Sequence, residues 1–316
     1  MRVALLDDYQ DVALASTDWS VLGPEYEVVP FHDHLADGDA LVERLRDFDV
    51  AMAMRERTAF PRAVLERLPR LRLLVTAGMR NAAIDVAAAR ELGITVCGTG
   101  GRGYATAELT WGLILALARH IPEEHAAVLG GRWQTTVGME LRHKTLGIVG
   151  LGSLGTQVAK VGQAFGMDVI AWSQNLTAEH ASERGVTRVE KDELFARADI
   201  VSVHVVLSDR TRGLIGAQEL GLMQPTAYLV NTSRGPIVDE RALIDALRSR
   251  QIAGAALDVY DVEPLPADHP FRGLDNLLMT PHIGYVTGDT YQLWYRDALE
   301  DIQSFAAGNP IRVVER

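Results

Sequence analysis

A glycine-rich segment of the chain has the spacing of a phosphate-binding turn. Residues 146–155 read LGIVGLGSLG, an apolar run that ends in the pattern G-x-G-x-x-G. An apolar strand, this turn, a helix and a second strand form the unit in which the pattern indicates a dinucleotide site. The N-terminus of the helix would offer N–H groups and a partial positive charge to the pyrophosphate. The pattern therefore predicts a dinucleotide site built on Gly150, Gly152, Ser153, Leu154 and Gly155.

The same pattern occurs a second time, at residues 98–103. It also follows a short strand-like run, but the stretch from His120 to Lys144 is polar, contains glycines and supplies no closing strand. Because the pattern has meaning only within a complete strand–helix–strand unit, we interpret this copy as a loop between domains.

Three residues with complementary chemistry follow strand-like runs in the second half of the chain. They are Arg234, Glu263 and His282. Ligands of open α/β sheets bind beyond the carboxyl ends of the strands, so the three side chains would meet one ligand. An arginine can pair with a carboxylate through two parallel hydrogen bonds, and an imidazolium can donate a proton to a carbonyl oxygen as hydride arrives. The set therefore suits hydride transfer at a carbonyl beside a carboxylate, with the glutamate holding the imidazole ring.

Two alternatives stay open at this point. His204 also ends a strand-like run, and its position alone makes it an equal candidate for the acid. Each of the three residues could also have a structural role, because loops at strand ends are enriched in functional residues but are not reserved for them.

Alternating strand and helix patterns must position these residues. The first series of strands is Arg2–Leu6, Tyr26–Pro30, Val50–Met54, Leu71–Thr76 and Ile94–Cys97. The second is Leu146–Val149, Val169–Trp172, Val186–Val189, Ile200–His204, Ala227–Asn231, Ala253–Asp258 and Leu277–Thr280. Amphipathic helical stretches separate most of the strands, and this alternation predicts an α/β fold with two doubly wound parallel sheets.

The length, charge and cysteine content limit the class of protein. A chain of 316 residues is long enough for two domains, and its formal charge of −11 argues against nucleic acid or an anionic membrane as the main partner. The longest strongly apolar run, Trp111–Ala118, is far shorter than the roughly 20 residues of a membrane span. The single cysteine, Cys97, fits a reducing cytoplasm, where we expect the protein to work.

His32, Asp33 and His34 have side chains that could bind a metal, but no further ligands stand at a known spacing from them, so we predict no metal site.

Four longer motifs resemble those of the D-isomer-specific 2-hydroxyacid dehydrogenases, in the right order. They are TAGMRNAAID at 76–85, which resembles the substrate loop G-x-x-N-x-x-D of that family, NTSRGPIVD at 231–239, ALDVYDVEPLP at 256–266 and TPHIG at 280–284. The similarity extends from about Val3 to Ile302.

The resemblance implies a fold and a reaction. A Rossmann NAD(P)-binding domain, residues 100–284, would be inserted into a flavodoxin-like substrate domain formed by residues 1–99 and 285–316. The protein would be a homodimeric oxidoreductase, with the helix 104–118 at the interface. It would transfer a hydride between NAD or NADP and a small 2-oxo acid or D-2-hydroxy acid, such as glyoxylate or hydroxypyruvate.

The motifs and the resemblance together give three sets of site residues. The catalytic set is Arg234, Glu263 and His282, with His282 as the acid and base. The cofactor set is Gly150, Gly152, Ser153, Leu154, Gly155, Ser173, Gln174, Val205, Val206, Thr232, Ser233, Arg234, Asp258, His282 and Gly284. The substrate set is Ala77, Gly78, Met79, Arg234, His282 and Tyr285. The backbone N–H groups around Gly78 and Met79 would help to hold the substrate carboxylate, and Asp258 would contact the carboxamide of the cofactor.

Several residues depart from the family pattern. Ser173 stands where a carboxylate would accept bonds from the ribose hydroxyls and repel a 2′-phosphate, and we find no lysine or arginine between it and Arg184. We therefore expect use of both NAD and NADP, with a mild preference of unknown direction. Tyr285 replaces a small residue and could narrow the pocket or donate a hydrogen bond. Arg80 and Arg55 could add charge for a second acidic group, or could lie on the surface.

Two other functions remain open on the sequence. The run from Pro264 to Arg272 is similar to formate dehydrogenases, but those enzymes have a glutamine where Glu263 stands, so a phosphite dehydrogenase is the stronger of these two rivals. A non-catalytic protein that senses dinucleotides, like the C-terminal binding protein corepressors, would also retain the three catalytic residues.

Overall fold

The computed structural model describes residues 1–101 and 103–315. The chain divides into two compact units, one formed by Met1–Arg102 with Val286–Arg316 and the other by Gly103–Tyr285. The second copy of the glycine pattern, at 98–103, spans the first division, and its Arg102 lies outside the described residues.

The first unit contains a parallel sheet with the strand order β2-β1-β3-β4-β5. Its strands are β1 (Arg2–Leu5), β2 (Glu27–Pro30), β3 (Val50–Ala53), β4 (Leu73–Thr76) and β5 (Thr95–Gly98). Its helices are α1 (Gly38–Leu45), α2 (Arg62–Leu65), α3 (Val86–Glu91) and, after the second unit, α11 (Gly288–Ala306). All residues of β3 and β4 are buried, as expected for a parallel sheet with both faces covered. This strand order is that of the flavodoxin-like fold.

The second unit contains a parallel sheet with the order β12-β11-β10-β9-β6-β7-β8. Its strands are β6 (Thr145–Val149), β7 (Asp168–Trp172), β8 (Thr187–Arg188), β9 (Ile200–Val203), β10 (Tyr228–Asn231), β11 (Gly254–Leu257) and β12 (Leu277–Met279). Its helices are α4 (Ala105–Arg119), α5 (Ile121–Leu129), α6 (Ser153–Ala164), α7 (Ala178–Ser182), α8 (Lys191–Arg197), α9 (Ala217–Leu222) and α10 (Glu240–Arg248). The strand order reverses between β6 and β9, which is the switch point at which Rossmann sheets bind dinucleotides.

The prediction of two doubly wound parallel sheets is confirmed, and the structure adds a helix that the sequence analysis did not identify. The polar stretch from His120 to Lys144 begins with α5. His120 adopts a left-handed conformation (φ 49°) that ends α4 and starts the new helix. Pro122 is tolerated because its missing N–H falls in the first helical turn, and Glu123 and Glu124 favour the positive end of the helix dipole.

Helix α4 packs within its own unit, against β10 and β11. Trp111, Leu113 and Ile114 are buried in the core that α4 shares with β6. The Trp111 indole N–H also donates to the carbonyl oxygen of Val158 in α6 (3.1 Å). No helix among the described residues is long and apolar enough to cross a membrane.

Candidate active site

The glycine-rich turn joins the end of β6 to the start of α6. Gly150 has φ +102°, a conformation that L side chains rarely adopt, and a Cβ there would lie 2.8 Å from the carbonyl oxygen of His204. A Cβ on Gly155 would lie 2.1 Å from the carbonyl oxygen of Gly150, so the helix approaches the turn as closely as a glycine allows. No atom lies within 4 Å of a Cβ built on Gly152, and no side chain caps α6. The turn is therefore tight on its inner side and open at Gly152, which fits a bound pyrophosphate.

The ends of β9 and β10 lie beside this turn and are fastened to each other. The Ser233 hydroxyl donates to the carbonyl oxygen of Val205 (2.7 Å). The hydroxyls of Thr232 and Thr110 are hydrogen-bonded at 2.8 Å, and Thr232 is buried. Val206 is 77% exposed. These contacts hold the predicted cofactor residues of both strand ends at one edge of the sheet.

Arg234 follows β10 in a turn that its neighbours determine. Its carbonyl oxygen accepts a hydrogen bond from Asn231 Nδ2 (2.9 Å), and its own guanidinium donates to the carbonyl oxygen of Ser233 (2.7 Å). A Cβ on Gly235 would lie 2.1 Å from the carbonyl carbon of Tyr260. The arginine turn therefore lies directly on the loop that follows β11, and this loop carries Glu263.

Glu263 and His282 form a hydrogen-bonded pair. Glu263 Oε2 lies 2.5 Å from His282 Nδ1, and Glu263 Oε1 accepts the backbone N–H of Tyr260 (2.9 Å). The side chains are 25% and 15% exposed. Both carboxylate oxygens are thus engaged, and the imidazole is held at Nδ1.

The turn that carries His282 is held by a buried carboxylate. Asp258 is 1% exposed and accepts hydrogen bonds from the Thr280 hydroxyl (2.6 Å) and from the backbone N–H groups of Ile283 and Gly284 (both 2.8 Å). Burial raises the pKa of Asp258, against the lowering effect of these hydrogen bonds. The resemblance implies that Asp258 contacts the carboxamide of the cofactor. In the structure, the Asp258 carboxylate also holds the residues after β12 in place.

Tyr285 lies against the histidine. The two rings meet edge to face, with centroids 5.5 Å apart and an angle of 67° between their planes. His282 itself has φ +53°, an unusual conformation for a residue other than glycine. Strain of this kind is concentrated at functional sites, where surrounding contacts maintain it.

His204, the alternative acid, has a different environment. Its Nε2 lies 2.8 Å from the Ser202 hydroxyl, and burial lowers its pKa to about 4. A histidine with this pKa is neutral near pH 7 and lacks the imidazolium form that acts as a general acid. His282, with its carboxylate partner, is the better candidate for the acid.

The predicted substrate loop follows β4 in the first unit. The backbone N–H of Gly78 donates to Thr99 Oγ1 (2.8 Å), and the binding of a carboxylate by the N–H groups around Gly78 and Met79 stays a prediction. For Arg55 the sequence left two alternatives open, a charge for a second acidic group of the substrate or a position on the surface. Its guanidinium donates to the carbonyl oxygen of Ala77 (3.3 Å), and its backbone has φ +56°. Met79 is 45% exposed.

Ser173 follows β7, as expected, but a cation that we did not identify from the sequence lies beside it. Arg188 ends β8 and is the register partner of Ala171 in β7. Its Nε donates to the carbonyl oxygen of Leu176 (3.2 Å), within the loop that Ser173 begins. Only the pairing of β7 with β8 brings the two together, so the linear sequence held no signal for it.

One group of described residues has the ligand types of a metal site. Oxygen and nitrogen atoms of Asp8, Asp11 and His32 lie within 4.8 Å of one another. Both carboxylate oxygens of Asp8 already accept backbone N–H groups, from Val12 (3.0 Å) and Ala13 (3.1 Å). The buried carboxylate therefore fastens the loop after β1, and we assign no metal to it.

Known proteins resemble this chain over most of its length. A family profile described as "D-isomer specific 2-hydroxyacid dehydrogenase, NAD binding domain" matches residues 111–284. A glyoxylate reductase from Aeropyrum pernix is 42% identical over 264 residues, which cover 80% of this chain and 79% of that protein. A D-3-phosphoglycerate dehydrogenase from Methanocaldococcus jannaschii is 39% identical over 85% of this chain, which spans 52% of that protein's length. The crystal structure of a phosphoglycerate oxidoreductase from Vibrio cholerae has a TM-score of 0.93 and 37% identity, covering 98% of this chain and 99% of that one.

Proposed function

The chain belongs to the D-isomer-specific 2-hydroxyacid dehydrogenases, and on this basis we propose that it is an NAD(P)-dependent reductase of small 2-oxo acids to D-2-hydroxy acids. The observation that carries the proposal is the Glu263–His282 pair on the loops that follow β11 and β12, in the sheet that also carries the glycine-rich turn. The turn that carries Arg234 packs against the loop that carries Glu263. A cation for the substrate carboxylate therefore accompanies the pair.

The residues have distinct roles in the reaction. Arg234 binds the carboxylate of the 2-oxo acid through paired hydrogen bonds. The dinucleotide held at the glycine-rich turn would supply the hydride for the carbonyl carbon. His282 donates the proton at Nε2 to the carbonyl oxygen, which becomes the hydroxyl, and Glu263 stabilises the imidazolium before that transfer. In the reverse direction the neutral Nε2 accepts the hydroxyl proton.

A short 2-oxo acid such as glyoxylate or hydroxypyruvate is the proposed substrate. The ring of Tyr285 lies edge-on against His282 and takes up space beside the acid, which disfavours a bulky substrate side chain. The relative from Aeropyrum pernix is named a glyoxylate reductase, which supports the same substrate class. Glu263 argues against a formate dehydrogenase, because a carboxylate partner for the histidine is useful only when a proton is exchanged. We also propose that the protein works in the cytoplasm, since Cys97 is a free and buried thiol.

We propose a homodimer, and the exposed apolar side chains after α4 support it. Ile121 (53% exposed), Leu129 (75%), Trp133 (77%) and Val137 (93%) lie in one short segment. Single exposed apolar residues are ordinary, whereas a concentration of them marks an interaction surface. The resemblance implies that the helix at 104–118 lies at the interface, and we propose that the exposed segment 121–137, which follows it, contributes to the same interface.

The decisive experiment measures oxidation of NADH and NADPH by the purified chain against glyoxylate, hydroxypyruvate, pyruvate, 3-phosphohydroxypyruvate and, in reverse, phosphite and formate. We expect turnover with the short 2-oxo acids. His282→Gln should lower kcat about 10²–10⁴-fold, the usual contribution of a general acid, while His204→Gln lowers it less than tenfold. Inactivity with every 2-oxo acid, together with intact cofactor binding in calorimetry, would support the dinucleotide sensor instead.

A further inference from the structure

We propose that Arg188 binds the 2′-phosphate of NADPH and makes the enzyme prefer NADPH to NADH. The inference rests on the proposed function, because it concerns the cofactor site of the same enzyme. It also gives a direction to a preference that the sequence left undetermined.

The first observation is the neutral loop after β7. The first strand of the dinucleotide unit is β6 and the second is β7, whose end approaches the adenosine ribose in this fold. A carboxylate there accepts hydrogen bonds from both ribose hydroxyls and repels a phosphate on the 2′-oxygen. In this chain the loop begins Ser173-Gln174-Asn175, which carries no charge, and the last two side chains are exposed. The usual barrier to NADP is therefore absent.

The second observation is a fixed cation beside that loop. Strand β8 runs parallel to β7, with Arg188 opposite Ala171, and the N–H of Val189 donates to the carbonyl oxygen of Ala171 (3.0 Å). Adjacent strands are about 4.8 Å apart, so Arg188 starts one strand away from the end of β7. Its Nε reaches the carbonyl oxygen of Leu176 (3.2 Å), which places the guanidinium under the loop.

The guanidinium retains donors for an anion. Its side chain is 33% exposed, and it uses Nε for Leu176 and Nη1 for Glu190 Oε1 (2.7 Å). A guanidinium has five N–H groups in a planar fork that matches phosphate oxygens. The loop after β7 therefore already orients the Arg188 side chain. These two hydrogen bonds use Nε and Nη1 and do not involve the N–H groups of Nη2.

Glu190 limits the strength of the preference. Its side chain is 72% exposed, and it offsets part of the positive charge of Arg188. We therefore expect a preference of roughly 10- to 100-fold for NADPH in kcat/KM rather than an exclusive one. Glu190→Gln should increase this preference, and Ser173→Asp should reverse it.

Arg184 provides a matched control. Its guanidinium also donates to a backbone carbonyl, that of His180 (2.9 Å), and also pairs with a neighbouring glutamate, Glu183 (3.3 Å), with a similar exposure of 29%. It follows α7 and is not part of β8. Arg184→Gln thus removes a cation of the same kind from the same part of the unit without touching the pairing with β7.

The test measures the dissociation constants of 2′,5′-ADP and 5′-AMP by calorimetry on the full chain. These ligands differ only in the 2′-phosphate and require no turnover. Wild type should bind 2′,5′-ADP about tenfold or more tightly than 5′-AMP, Arg188→Gln should reduce this ratio to about one, and Arg184→Gln should keep it. Unchanged 5′-AMP binding in Arg188→Gln shows that the fold and the adenosine site are intact.

A wild-type ratio of one or less, or an unchanged ratio in Arg188→Gln, would overturn the proposal. If neither coenzyme is oxidised by any 2-oxo acid, the proposed function fails, but the ratio of the two nucleotides still decides the role of Arg188. Kinetic ratios with NADPH and NADH then extend the result to the enzyme, where Arg188→Gln should lower kcat/KM for NADPH and leave that for NADH within threefold.

Discussion

At the scale of single residues, the role of Glu263 depends on its two bonded oxygens. One oxygen holds His282 and the other is fixed by the backbone of Tyr260, so the carboxylate cannot rotate without losing a contact. A buried or half-buried ion pair is weak evidence for stability, because desolvation offsets the attraction. Its value here is orientation and charge for the histidine.

Glu263→Gln should therefore affect catalysis more than stability. The amide keeps the shape of the side chain but has no charge to stabilise the imidazolium, so kcat should fall about 10²–10³-fold, with KM changed less than threefold. Steady-state kinetics with glyoxylate would measure both. Glu240→Gln is the matched control, because Glu240 pairs with His269 at 3.0 Å in the same unit, outside the proposed site. Equal losses in the two variants would exclude a specific role for Glu263.

His204 should make stability depend on pH in the acid range. Burial lowers its pKa from 6.5 to about 4, so the unfolded chain binds the proton first as the pH falls. Its contribution is complete above about pH 6.5 and is lost progressively down to about pH 4, with an upper limit of roughly 3–4 kcal/mol. Denaturant unfolding at pH 7, 6, 5 and 4 should show a shallower loss of stability in His204→Gln than in wild type. Parallel profiles for the two proteins would contradict the lowered pKa.

The sequence could predict the residue types of the site but not their pairing. Chemistry and position at strand ends made Arg234, Glu263 and His282 candidates, and His204 remained equal until the resemblance was considered. The partners separate the two histidines: His282 contacts the carboxylate of Glu263, whereas His204 contacts the hydroxyl of Ser202, and these contacts depend on the tertiary structure. Likewise, the use of the Gly78 amide by Thr99 depends on the pairing of β4 with β5, which local sequence does not reveal.

Within the β6–turn–α6 unit, alanine substitutions at two glycines should affect stability differently. Gly155→Ala places a Cβ 2.1 Å from a backbone carbonyl oxygen, so the strand or the helix must move, and the free energy of unfolding should fall by at least about 2 kcal/mol. Gly152→Ala meets no atom within 4 Å and should change stability by about 0.5 kcal/mol or less.

Cofactor binding separates the two variants further. In Gly152→Ala the new methyl group occupies the space where the pyrophosphate would approach the backbone, so binding should weaken tenfold or more, about 1.4 kcal/mol. Thermal unfolding and calorimetric titration with NADH and NADPH would measure both effects. A stable Gly152→Ala protein with unchanged affinity for both coenzymes would show that the turn does not contact the dinucleotide.

The strands were easier to predict than the helices around them. Buried parallel strands form continuous apolar runs, and each of the runs named above forms a strand, with small differences at the ends. Helix α5 was missed because Pro122 and the adjacent polar residues suggest a loop unless Pro122 is assigned to the first helical turn. The contact between Arg188 and the loop after β7 could not be read at all, since it arises from strand pairing.

At the scale of the whole molecule, the last helix returns to the first unit. The resemblance implies that residues 285–316 complete the domain formed by residues 1–99. In the structure the N–H of Gly100 donates to Asp297 Oδ2 (2.9 Å), and the Trp294 indole N–H donates to the carbonyl oxygen of Gly100 (2.9 Å). Tyr295 is 1% exposed. The core of the first unit therefore includes α11, and the second unit is an insertion in sequence.

The proposed dimer can be tested by placing a charge in the exposed segment 121–137. A symmetric interface places the same patch of each protomer against its partner. A charged residue introduced into the patch is therefore present twice, and burying both charges away from water destabilises the dimer. Trp133→Glu, which removes the largest exposed apolar side chain of the segment 121–137, should therefore convert a dimer into a monomer.

Sedimentation equilibrium tests this directly. Wild type should have twice the chain mass of 34.6 kDa, and Trp133→Glu should have the single mass with unchanged secondary structure. Val21→Glu is the control, because Val21 is also exposed (53%) but lies in the first unit, outside the patch, and this variant should stay dimeric. Interfaces of stable dimers bury more than about 1,000 Å². If the dimer used a different interface, with Trp133 only at its edge, Trp133→Glu would not dissociate the dimer. A wild-type monomer, or a Trp133→Glu protein that stays dimeric, would exclude an interface built on this segment.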